Sequence, residues 1–408
     1  MRIPISFRDK NENYLTKGSL QKFCKKHKLP TSEDKMDLIA YIEEFASLNS
    51  DNEEIVLEWL ETVLKEGAKH IIIRKCDIPK VYQEYTEKRW EEFIDNQFGE
   101  IPQQFICGGV HYNTHKCLNY QFEYTEDNKL KSIDFSYTIE LLEYKKGVST
   151  PQKITYPIFV DVDLINKVMI GRVKSKNNIY EYVLEGDGYP RPNIDKAQPF
   201  KLVTRIMHEI ADNLLISFES IEKSKSRWAS NLFELINECT QTPPEIINAI
   251  NTEQNNINSF ITGFFERHNI SLIERENLIK AREDLNIFME KFLSINLGNE
   301  EIFKEGRIAY PVRIAATDTD YTSVEQSTSN RRPLQATAVF YDNKKILLRQ
   351  KQCDKISMVF KREKQPYFTN EEFLIIFEIK KGYCLIKSES YLLEEDIQDV
   401  LLRIIRAR

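Results

Sequence analysis

Residues Ser132–Tyr144, SIDFSYTIELLEY, and Ile154–Asp163, ITYPIFVDVD, decide the fold class. Apolar and polar side chains alternate through both, and a period of two is the signature of a strand with one face buried. The same alternation runs through Cys117–Tyr124, CLNYQFEY, and Lys167–Ser175, KVMIGRVKS. Between these runs TEDNK, YKKG and DLINK carry residues suited to hairpin turns, so the chain from about Ile101 to Val183 is expected to form an antiparallel sheet.

Outward from this sheet the pattern turns helical. Upstream, Ile55, Trp59, Leu60, Val63 and Leu64 mark one amphipathic helix, Ile71–Ile73 a short strand, and Tyr82, Tyr85, Trp90, Phe93, Ile94 and Phe98 an aromatic helix face ended by Gly99. Downstream, EGDGYPRPN at 185–193 reads as a linker, and 200–297 is helical, with Thr242-Pro243 and Ser271-x-x-Glu274 as helix starts and Gly298 as a C-terminal cap. From Ile302 onward a second sheet is expected, closed by a final helix. Ala336–Asp342 with Lys345–Gln350 reads as one hairpin, Phe373–Ile379 with Tyr383–Ser388 as another, and DTDYTSVEQSTSNRRP at 318–333 as a polar loop. The last helix begins with Glu394, Glu395 and Asp396 and ends with Arg403, Arg406 and Arg408, which complements its dipole. The expected fold class is therefore α+β: a small N-terminal helical module at 1–49, an α+β domain at 50–190 with a central antiparallel sheet, a helical bundle or arm at 198–298, and a β-rich C-terminal domain at 300–408.

The length of 408 residues and 41% hydrophobic composition supply cores for several domains, and the formal charge of -6 confines any contact with nucleic acid to a local basic patch. No run long enough to cross a bilayer occurs, and MRIPISFRDKNENY lacks the apolar core of a signal peptide, so a cytoplasmic protein with no membrane partner is expected. The seven scattered cysteines suit reduced thiols. Abundant Asn, Ile and Lys point to a low-GC bacterial source.

Leu15–Ile42, LTKGSLQKFCKKHKLPTSEDKMDLIAYI, has the apolar spacing of two short helices joined by an extended segment. Thr16 and Thr31 are placed as N-caps, Pro30 breaks the first helix, and Thr31-x-x-Asp34 opens the second. This stretch resembles the SAP family, helix-extension-helix modules that bind DNA, often A·T-rich. Leu15, Leu20 and Phe23 match the family's first helix, Leu29 its leucine after the break, and Lys35 with Leu38 its Lys-x-x-Leu. Lys28 and Asp34 stand where the family carries glycines. The resemblance, which covers about a tenth of the chain, implies DNA as partner and Lys17, Lys22, Lys25, Lys26, Lys28 and Lys35 as its contacts; no acidic residue lies between Leu15 and Leu29. The function expected is a DNA-binding recruitment or scaffold protein, of a kind associated with bacterial antiviral-defence or mobile-element systems. The alternatives are a metal-dependent nuclease and a protein-interaction subunit without nucleic-acid binding.

Other constellations carry competing chemistry. Cys107, His111, His115 and Cys117 put zinc-type ligands within CGGVHYNTHKC, although the single residue between His115 and Cys117 is too tight for the usual paired geometry, and zinc is not expected. Glu378 and Lys380 resemble the Glu-x-Lys half of the PD-(D/E)xK nuclease pattern; with Asp342 as a second carboxylate they would hold Mg²⁺ against a phosphate. No other cofactor is indicated. Asp161 and Asp163 fall on one side of a strand, Asp318 and Asp320 repeat the spacing, and P-loop and nucleophile-elbow motifs are absent. A second basic run, containing Arg331, Arg332, Lys344, Lys345, Arg349 and Lys351 with Tyr341, Phe360 and Tyr367 interleaved, offers a second phosphate-binding surface. Oligomeric state is not legible.

Overall fold

The computed structural model describes residues 1–8, 14–109, 113–145, 147–148, 150–184, 190–192, 195–269, 275–296, 298–317, 323–328, 331–362 and 370–406. The chain folds as two compact units: Met1–Lys225 with Lys364–Asn370 and Lys380–Leu401, and Ser226–Glu363 with Glu371–Ile379 and Leu402–Arg408. The mixed α+β class expected from the sequence is observed.

The first unit opens with helices α1 (Ile5–Arg8), α2 (Lys17–Lys26), α3 (Lys35–Ser47) and α4 (Ser50–Lys65). Strand β1 (Lys69–Asp77), a 3-10 turn at Lys80–Glu84 and α5 (Glu87–Phe98) follow, then β2 (Lys116–Tyr124), β3 (Leu130–Glu143), β4 (Gln152–Asp163) and β5 (Val168–Lys174). Short strands β6 (Ile179–Tyr180), β7 (Tyr182–Leu184) and β8 (Pro190–Pro192) lead to α6 (Pro199–Asn213) and β9 (Ser217–Phe218), and α7 (Ile221–Cys239) carries the chain into the second unit. The second unit adds α8 (Pro244–Thr252), α9 (Gln254–Arg267), α10 (Arg275–Asn296), β10 (Ala309–Thr317), β11 (Ser323–Ser327), α11 (Ala338–Gln350), β12 (Lys355–Lys361) and β13 (Glu372–Lys380); β14 (Tyr383–Ser388) and α12 (Glu394–Arg406) complete the chain.

Strands β2 to β5 pair antiparallel as their alternation requires, and the first unit's sheet runs β14-β1-β5-β4-β3-β2. Its inner strand β4 is buried almost throughout because helices lie on both faces. On one face Ile133, Phe135, Tyr137 and Ile139 pack with Leu202, Val203, Ile206 and Met207 of α6. Gly171 makes room for that helix, since a Cβ there would overlap Val203 Cγ1 and lie 2.9 Å from Met207 Sδ. On the other face Leu118 and Phe159 join Phe7, Tyr14, Leu20, Phe23, Leu38, Ile42 and Leu60 in one core. Each such side chain contributes roughly 1.5–3 kcal/mol on burial. The N-terminal helices are therefore seated on the sheet.

In the second unit the strand order is β11-β10-β12-β13, all antiparallel. Three expectations are corrected. Ala336–Gln350 is no hairpin: Leu334–Ala336 forms a 3-10 turn and α11 follows, with Phe340, Asn343 and Leu347 buried at helical spacing. The segment Asp342–Lys345 lacks the glycine that favours positive φ in a two-residue turn. Within the expected polar loop, Ser323–Ser327 pairs with β10 as an edge strand whose polar sequence hid it. Within the expected linker, Pro190–Pro192 pairs with Tyr182–Leu184, a place where proline is tolerated because the ribbon is an edge. Residues 271–274 and Asp318 and Asp320 lie outside the described residues.

Candidate functional site

Helix α2 is built to hold a basic face outward. Thr16 caps it, accepting from the Ser19 N–H at 3.1 Å, as its sequence position implies. Leu20, Phe23 and Cys24 are buried, which turns Lys22, Lys25 and Lys26 to solvent. The C-terminal end closes as a Schellman motif: Leu29 N–H donates to Cys24 O at 2.8 Å and Lys28 N–H to Lys25 O at 3.3 Å. Lys28 takes the left-handed conformation, φ 58, at the place where the SAP pattern has glycine. Asp34, in place of the second glycine, has φ -88 and caps α3 by accepting from Met36 N–H at 2.6 Å, so the expected cap at Thr31 is not the one formed.

The exposed lysines differ in their surroundings. Lys17 is ion-paired with Glu33. Lys35 is half-buried at the start of α3. Among the described residues Lys22, Lys26 and Lys28 make no ion pair, and Glu66 is the carboxylate within electrostatic reach of Lys22. No acidic side chain interrupts the helix. Lys22, Lys26 and Lys28 thus present charge outside any ion pair among the described residues, suited to phosphate.

A polar cleft of about 370 Å³ lies in the same unit, floored by β3, β4 and β5 and walled by α4 and α12. Register places Asp134 opposite Asp161 and Ser132 opposite Asp163. Arg172 donates to Asp161 at 2.7 Å and to Glu394 at 2.6 Å, Lys65 meets Asp134 at 3.3 Å, and Ser132 donates to Asp134 at 3.1 Å. Asp163 instead ties the following turn, accepting from Ile165 N–H at 2.9 Å and Asn166 N–H at 2.7 Å. Burial, reinforced by Asp161, pushes the Asp134 carboxyl up to about 7, while burial raises Glu61 as well. Asp161 and Arg172 are spent on each other, and among the described residues no three His, Cys, Asp or Glu side chains gather so that they could hold a metal ion. The cleft is thus an acid-rich network joining five elements, with Lys65, Lys131 and Arg172 set among seven carboxylates. The sequence signals its Asp161-x-Asp163 corner; the isolated Arg172 within the apolar run of β5 is the other available sign of it.

The remaining candidates are dispersed. Asp342 sits on α11 and accepts from Lys291 at 2.8 Å, whereas Glu378 lies on β13 opposite Lys355 and Lys380 ends that strand. Cys107 packs against the N-terminal helical core with its thiol pushed well up by burial; Cys117 is pushed up to about 12 by burial. His115 Nε2 meets Glu209, and His111 lies outside the described residues. In the second basic run Lys344 bonds both carboxylate oxygens of Glu290 at 2.7 Å, Lys345 pairs with Asp284 and Arg332 with Glu300. Arg349 is in the last turn of α11 and Lys351 caps it in the left-handed conformation; Arg331 also has positive φ. Tyr341 and Phe360, expected as stacking positions, are each 1% exposed, which removes them from any such role. Tyr367 lies outside the described residues. No helix among the described residues is long and apolar enough to cross a membrane.

No family model, no curated protein and no solved structure matches this chain.

Proposed function

We propose that this protein binds DNA through the outward face of α2 and acts as a recruitment or scaffold protein. The observation that supports this reading most is the set Lys22 and Lys26 on α2 and Lys28 just past its end: exposed, outside any ion pair among the described residues, and beside a helix with no acidic residue in a chain of charge -6. Charge held in this way gains on meeting phosphate, because no internal partner has to be given up. The second basic run lacks that property, with Lys344, Lys345 and Arg332 already paired. A cytoplasmic role in a bacterial antiviral-defence or mobile-element system is the setting in which such a protein would serve.

A protein-interaction role is favoured by a different observation: Phe260 and Phe264 on α9 and Phe288 and Phe292 on α10 are each more than 40% exposed. The two readings separate in a fluorescence-anisotropy titration of the whole chain against short A·T-rich and G·C-rich duplexes. DNA binding requires saturable binding that weakens when Lys22, Lys26 and Lys28 are replaced by alanine; absence of binding at low salt leaves the protein-partner reading.

A further inference from the structure

A groove of about 680 Å³ opens in the first unit between the 3-10 turn at Lys80–Glu84 and the tips of two hairpins, β2–β3 and β4–β5. Its aromatic content comes from Tyr82, Tyr85 and Tyr124. Tyr82 is fixed, its hydroxyl donating to Leu214 O at 2.6 Å, and Tyr85 stands 5.2 Å from it with the Arg89 guanidinium 4.1 Å over its ring. Tyr124 is 38% exposed, and Ile165 at the β4–β5 tip is 54% exposed. Tyr82 is buried and Tyr85 half-buried against Trp90 and Phe93, so Tyr124 is the ring open to solvent, beside the exposed Ile165.

The rim is basic. Lys80, Lys129 and Lys167 line the groove, all three exposed and none in an ion pair among the described residues. Glu87 is the one carboxylate in the lining, and it is engaged by the Tyr124 hydroxyl. Lys167 takes the left-handed conformation, φ 52, and Asn128 in the other tip has φ 58. Both tips are therefore tight turns that present their lysines from a defined backbone. An apolar, ring-bearing floor with a positive rim, in a chain of net charge -6, complements a ligand that is flat and apolar on its faces and anionic along one edge.

We propose that this groove binds single-stranded DNA, stacking a base against Tyr124 while Lys80, Lys129 and Lys167 meet the backbone phosphates. The inference rests on the nucleic-acid reading of this unit but uses none of the α2 lysines, so each can fail alone. Stacking contributes roughly 1–3 kcal/mol per base, so loss of one ring weakens binding at least about fivefold.

The test is an anisotropy titration of the full chain against labelled oligo(dT), a labelled duplex, and unlabelled dTMP as competitor. Tyr124→Ala and the double variant Lys129→Ala with Lys167→Asn are compared with Lys22→Ala/Lys26→Ala/Lys28→Ala; asparagine at 167 tolerates the left-handed turn. The groove requires that the first two weaken oligo(dT) binding at least about fivefold and spare the duplex, while the α2 variant weakens the duplex. Oligo(dT) binding that the groove variants leave intact, or no oligo(dT) binding at all, overturns the proposal. So does dTMP binding that depends on these residues without strand binding, which would make the groove a mononucleotide pocket. If only the duplex result fails, the α2 reading falls and the groove stands.

Discussion

Lys28→Gly should make the protein more stable and a poorer DNA binder. Lys28 holds φ 58 at the Schellman position, where an L side chain costs roughly 1–2 kcal/mol and glycine nothing. The side chain is exposed, so its removal sacrifices no packing. Glycine returns some of this gain, roughly 0.4–1 kcal/mol, through the greater freedom of the unfolded chain. The expected net is a stabilisation of about 0.5–1 kcal/mol, read as a higher urea midpoint for the transition that reports the first unit. Hydrogen exchange at the Lys28 and Leu29 amides, which close the helix onto Lys25 and Cys24, should slow in parallel. Lys28→Ala is the control: alanine keeps the left-handed strain and removes the charge, so it should leave stability near wild type while weakening duplex binding as much as glycine does. If glycine and alanine shift stability equally, the strain assigned to Lys28 is wrong. If either leaves DNA affinity untouched, Lys28 is no contact.

Gly171→Ala should destabilise by about 1–3 kcal/mol in a denaturant titration, since the new methyl would drive into Val203 and Met207 of α6; a neutral result would mean that α6 is not held against β5. Asp34→Ala should cost about 0.5–2 kcal/mol by leaving the Met36 amide uncapped, and Thr31→Ala much less; the reverse order would restore Thr31 as the cap. Asp134 gives a pH signature. Its carboxyl is held at about 7 when folded against 3.8 ordinarily, so the folded chain keeps a proton that the unfolded chain has lost, and the stability this group contributes falls as pH rises from 3.8 to about 7. Asp134→Asn should therefore show a shallower decline over that window and gain on wild type toward neutral pH; parallel stability profiles would show that Asp134 ionises normally.

The sheet of the first unit is legible in the sequence because its strands alternate and their turns carry turn residues. What escapes is long-range or compensated. β14 joins β1 from the far end of the chain, a pairing no local pattern announces. The α11 segment reads as strand and turn because Ala336–Asp342 favours β structure and Asn343-Lys344 is polar, whereas burial of Phe340 and Leu347 in the second unit imposes a helix. The α2 module is readable down to its caps, apart from Thr31, but which of its lysines are paired is not: Lys17 finds Glu33 across the extension. In the same way the second basic run looks like a surface only because Glu290, Asp284 and Glu300 belong to other elements. Charge density in sequence reports partners only after internal pairs have been subtracted.

The most direct test of the α2 interface is the salt dependence of duplex affinity for the full chain and for the Lys22→Ala/Lys26→Ala/Lys28→Ala variant. Each lost phosphate contact should flatten the slope of log K against log salt by about 0.9, so loss of all three contacts should flatten it by about 2.7. Parallel lines for the two proteins would place any DNA contact elsewhere and contradict the interface.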